Sequence, residues 1–174
     1  MSAALALALA MESPAAADAW PELARAAAVV GALPDAPILG LVRGGPHPQP
    51  LLDDELAASL EALRVAADAL APLDAALAAG RCVAPSGAQL LTHRALADWV
   101  LALAVADARA GKPKLAAISV GRAADLSATL GRCASPSKES QAAAVGIGSR
   151  ARDVTFALAD DGLLPLDAIG HLAA

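Results

Sequence analysis

The sequence predicts a mainly α-helical fold, a compact helical bundle forming a single domain, and three observations carry that prediction. Alanine and leucine, 50 and 28 of the 174 residues, supply most of a 57% hydrophobic content and a mean hydropathy of +0.53, and these two residue types lead the helix-propensity scale. Residues that suit a pleated surface are scarce, with aromatics at 2% and no tyrosine. The length is ample for one hydrophobic core and short for two ordinary domains. An α/β alternative, with short strands near 38–42, 115–120 and 154–158, stays open on the sequence alone.

The elements follow in order. Residues 1–17 read as a flexible leader. The run Ala3 to Ala10 resembles a secretory h-region, but no basic residue precedes it and Glu12 follows, which makes Met11 an alternative start. The domain then spans 18–174. Asp18 is placed to cap a helix that carries Pro21 and Glu22 in its first turn and runs to about Leu33, before Pro34. Pro37 to Arg43 reads as a strand or a buried loop, and Gly44 to Pro50 is a non-helical loop in which His47 stands alone. Asp53, Asp54 and Glu55 favour the positive end of a second helix running to about Leu70, with Pro72 as its break and Gly80 closing the next turn. A third helix, from about Ala88 to Ala110, presents Leu91, Leu96, Trp99, Val100, Leu103 and Val105 and is expected to be central to the core. From Lys112, Pro113 suits a helix N-terminus, and Leu115, Ile118, Arg122, Leu126 and Leu130 recur at helical spacing. That favours helix over a strand entering a phosphate loop at Gly121.

No stretch approaches the roughly 18 apolar residues of a membrane span. Cys82 and Cys133 are too few for the disulfide framework of a small secreted domain, so cytoplasm is the expected compartment. They do fall within two similar segments, Gly80 to Ser86 and Gly131 to Ser137, which share glycine, arginine, cysteine, proline and serine. Shared helix punctuation explains the likeness, with duplication as an alternative; a redox pairing of the two cysteines, each beside an arginine, is the functional reading.

Charge is sparse and segregated. Charged residues make up 18% of the chain, below the roughly 25% of an average protein, so alanine and leucine must reach the surface, which favours a homodimer or a protein partner. The net charge is −5, yet residues 109–152 hold eight basic residues against two acidic ones, a local +6, while the remainder sums to −11.

Pro136 to Leu164 overlaps this basic stretch. Pro136, Ser137, Glu139, Ala142 and Ala143 suit a first helix, Gly146 and Ile147 a turn, Ser149 to Asp160 a second helix, and Gly162, Leu163 and Leu164 an exit. In that spacing the segment, 136–164, resembles the helix-turn-helix DNA-binding segment of bacterial and phage regulators or replication proteins. The resemblance implies a DNA-binding protein of transcription regulation or replication, with double-stranded DNA as partner. Ser149, Arg150 and Arg152 would lie at the recognition end, and Lys138, Arg132 and Arg122 on flanking phosphates. If Ala151, Val154 and Leu158 face the core, the opposite face carries Arg152, Asp153, Phe156 and Asp160.

Enzymatic motifs are missing: there is no Walker A, GxGxxG, HExxH, CxxC or GxSxG pattern. No catalytic residue, metal ligand or cofactor is expected. The alternatives to DNA binding are a non-catalytic helical adaptor or oligomeric subunit, and a small domain binding a phosphorylated metabolite at a helix start served by Arg122, Ser137 and Lys138.

Overall fold

The computed structural model describes residues 17–31, 53–84, 91–134 and 138–165. Six α-helices occur among them: α1 (Ala19–Gly31), α2 (Asp53–Arg64), α3 (Leu70–Ala78), α4 (Leu91–Arg109), α5 (Pro113–Gly131) and α6 (Lys138–Asp160), with a 3-10 turn at Ala67–Ala69 between α2 and α3. The described residues contain no strand, only two isolated parallel bridges. Expectations for Pro37 to Arg43, for His47 and for residues 1–16 of the leader lie outside the described residues.

Local chemistry accounts for most helix ends. The Asp18 carboxylate accepts the amide of Trp20 at 3.1 Å and that of Val83 at 3.0 Å, so one side chain caps α1 and ties it to a segment 65 residues away. Gly111 and Gly162 both adopt φ +71°. Each closes a helix with a Schellman turn: the Lys112 amide reaches Asp107 O at 2.8 Å after α4, and the Leu163 amide reaches Leu158 O at 2.9 Å after α6. Pro113 then opens α5, where its missing amide costs nothing. Pro72 sits in the first turn of α3 rather than breaking a longer helix; the break falls upstream, at Val65 and Ala66.

Helix α4 is the centre of the molecule. From Leu96 to Ala108 nearly every side chain is buried, as expected of a helix hydrophobic on all sides. Trp99 is fully enclosed, and its Nε1–H donates to Leu63 O at 3.2 Å, satisfying a carbonyl at the end of α2. Helices α1, α3, α5 and α4 pack as a closed ring, α1 on α3 and α4, and α5 on α3 and α4; α6 lies along the α4–α5 groove, with its widest contact on α5. His93 is buried against Trp20, with ring centroids 4.8 Å apart.

Glycine sets the α5–α6 approach. A Cβ on Gly148 would lie 2.8 Å from Ser127 Oγ, and that hydroxyl donates to Ala144 O at 2.7 Å. With the Ser127 hydroxyl held in this position, only a bare backbone at 148 lets the two helices close to this distance.

The described parts of the two similar segments, residues 80–84 and 131–134, meet. Cys82 and Cys133 form a disulfide, the Ala134 amide donates to Cys82 O at 2.8 Å, and Val83 bridges Ala134 in parallel. The residues that follow α3, up to Ala84, and those that follow α5, up to Ala134, are therefore stapled side by side.

Two sequence expectations are corrected. Residues 115–120 and 154–158 are helical, so the short-strand alternative fails there; Gly121 lies inside α5 and opens no phosphate loop. The turn expected at Gly146 and Ile147 is not formed. Lys138 to Asp160 is one 23-residue helix, because Ile147 and its neighbours Ala143, Ala144, Ala151 and Val154 are all buried against α4 and α5. Burial along the whole length outweighs the roughly 1 kcal/mol that each glycine costs a helix.

Candidate interaction surface

The six residues marked out in the sequence separate into two groups. Arg122 on α5 makes a bidentate pair with Asp74 on α3, both contacts at 2.7 Å, the geometry in which guanidinium and carboxylate fit best. Arg150 on α6 pairs with Asp98 on α4; the Asp98 side chain is only 8% exposed and that of Arg150 33%. At least two of the eight positive charges of residues 109–152 are thus matched by carboxylates from elsewhere in the chain, and both arginines fasten helices together. The other four stay at the surface: Arg132 just after α5 and Lys138 at the start of α6 are exposed, and Arg152 reaches the half-buried Ser149 Oγ at 3.4 Å on the outward side of α6.

Beside the Asp98–Arg150 pair, Arg94, Ala97 and Leu101 of α4 and Gly146 and Ile147 of α6 line a crevice of about 10 Å³. That is room for about one water molecule, too little for a metabolite.

The outward face of α6 offers more. At 100° per residue, Val145, Ser149, Arg152 and Phe156 fall within an arc of about 60°, and Val145 and Phe156 lie about 16 Å apart along the axis. Phe156, the only phenylalanine in the chain, is 57% exposed, and Val145 is 72% exposed. The opposite side, with Ala151, Val154 and Leu158, is buried as expected. The ends of the stripe differ in charge. Lys138 and Arg132 stand exposed at its start, Asp160 and Asp161 at its finish, and Arg152 and Asp153 between the two apolar residues. A shorter apolar pair, Leu115 and Ile118, is exposed near the start of α5.

Sequence reasoning did not find Asp74 or Asp98, which lie 48 and 52 residues from their arginines. A signal for the stripe was present: Phe156 fell on the polar side of a helix whose other side was assigned to the core. Among the described residues no cluster of His, Cys, Asp or Glu is arranged to hold a metal ion, and no helix is long and apolar enough to cross a membrane. Burial pushes the Asp107 carboxyl above its ordinary range, against the opposing pull of Lys112 and Arg64.

The class defined by the described residues is a disulfide-stapled helical bundle with an amphipathic outer helix. The chain matches no protein-family model, no curated protein and no solved structure.

Proposed function

We propose that this chain is a non-catalytic binding module, a helical adaptor or oligomeric subunit that engages a protein partner through the outward face of α6. The observation that carries this reading is the placement of Phe156. A chain with one phenylalanine spends it at the surface, in line with exposed Val145, where burial against a partner would recover about 1–2 kcal/mol per side chain. Aromatic anchors flanked by polar residues are the usual centre of a protein interface. The disulfide extends the reading to an oxidising compartment, since such a bond does not persist in a reducing cytosol.

Panning a displayed library of helical peptides against the whole protein tests this. Enriched peptides are expected to lose binding to Phe156→Asp and to keep it with Leu115→Asp. Enrichment indifferent to Phe156, or none at all, refutes the reading.

DNA binding remains the second reading, favoured by the exposure of Arg132, Lys138 and Arg152. It predicts salt-dependent binding of short duplex DNA that weakens when these three are replaced by alanine. Absence of binding at low salt removes it.

A further inference from the structure

The distribution of charge along α6 identifies a specific occupant for its outer face. The stripe begins basic, with Lys138 and with Arg132 just before the helix, is apolar at Val145 and again at Phe156 with the opposite charges of Arg152 and Asp153 between them, and ends acidic, with Asp160 and Asp161. Glu139 is the exception at the basic end, but it is turned about 100° from Lys138, toward the α4 side. A face that is positive at one end and negative at the other is complementary to itself when reversed.

We infer that the partner is a second copy of this chain, with the two α6 helices packed antiparallel about a twofold axis at the level of Arg150 and Ala151. This rests on the reading of the α6 face as a protein-binding surface and supplies the occupant. The register follows from the apolar anchors. Placing Val145 opposite Phe156 of the second copy brings Ser149 opposite Arg152, Gln141 opposite Asp160, and Lys138 within side-chain reach of Asp160 and Asp161. Both anchors are used twice, as an isologous interface requires, and each acidic end meets a basic end. In a parallel pairing, Lys138 would face Lys138 and Asp160 would face Asp160.

One helix per copy makes a small interface, so association is expected to be weak and reversible. Sedimentation velocity on the intact, oxidised protein from roughly 10 to 500 μM is expected to show a monomer–dimer equilibrium. Phe156→Asp should abolish it while leaving the far-UV circular dichroism and the melting temperature unchanged. Lys138→Glu and Asp160→Lys should each weaken association about tenfold, and the two together in one chain should restore it. Because both native cysteines are already paired, one introduced cysteine reports register cleanly. Chains carrying Gln141→Cys mixed with chains carrying Asp160→Cys should form disulfide-linked dimers, and neither should do so alone. A monomer at every concentration overturns the inference; if peptides dependent on Phe156 are still selected, the binding reading stands with a different partner. Cross-linking of Gln141→Cys chains to each other overturns the antiparallel register, and failure of the double charge exchange to restore association overturns the charge pairing.

Discussion

The contact between Gly148 and Ser127 gives the sharpest quantitative expectation. Replacing Gly148 by alanine adds up to about 1 kcal/mol of helix propensity to α6. It also puts a methyl group 2.8 Å from Ser127 Oγ, closer than van der Waals contact allows. The relief available is rotation of the serine hydroxyl, which sacrifices its 2.7 Å bond to Ala144 O, worth about 1 kcal/mol. If the hydroxyl holds, α5 and α6 move apart instead, at a cost of about 1–3 kcal/mol. The net effect of Gly148→Ala in the native background is therefore a loss of about 0–2 kcal/mol. In a Ser127→Ala background the obstruction is gone, since the nearest remaining atom, Ser127 Cβ, lies at 3.6 Å, and the same substitution should gain about 0.5–1 kcal/mol. A double-mutant cycle by urea unfolding, followed by circular dichroism at constant m-value, should give a coupling of about 1–2 kcal/mol. An equal effect of Gly148→Ala in both backgrounds, within about 0.4 kcal/mol, would refute the claim that this glycine sets the helix approach.

Three further outcomes are expected. The disulfide closes a span of 51 residues, so reducing it, or Cys82→Ser with Cys133→Ser, should cost about 4 kcal/mol on the loop-entropy model and lower the melting temperature by about 8–15 °C; an unchanged melting curve in reductant contradicts this. Arg150→Ala, which removes the cation beside buried Asp98, should cost about 1–3 kcal/mol, discounted from a fully buried pair because the arginine is partly exposed. Chemical denaturation measures it, and no loss would mean the pair contributes nothing. Asp107 supplies a pH signature. Its raised carboxyl value means the folded state keeps the proton to higher pH than the unfolded chain. Stability therefore falls as pH rises from about 4 through the folded value, and the penalty persists at neutral pH. Asp107→Asn should be more stable than the native chain at pH 7 and equal to it below about pH 4; the reverse ordering counts against burial as the dominant cause.

The sequence by itself determined the elements whose signals act within a turn of backbone. Asp18 caps α1, Pro113 opens α5, Gly162 closes α6, and Trp99 with its apolar neighbours lies on the central helix. Each depends on a hydrogen bond, a dihedral preference or a periodicity that neighbours in sequence fix. Tertiary structure decided the remainder. Glycine at 146 reads locally as a turn, but burial of Ile147 and Val154 in the α4–α5 groove carries the helix straight through it. Arg122 and Arg150 read locally as free cations, and become struts between helices only because packing brings Asp74 and Asp98 to them across 48 and 52 residues. Cys82 and Cys133 are likewise joined only because packing brings the residues that follow α3 against those that follow α5. The basic stretch thus kept its sequence but lost part of its field, because the fold sets carboxylates of α3 and α4 against two of its arginines.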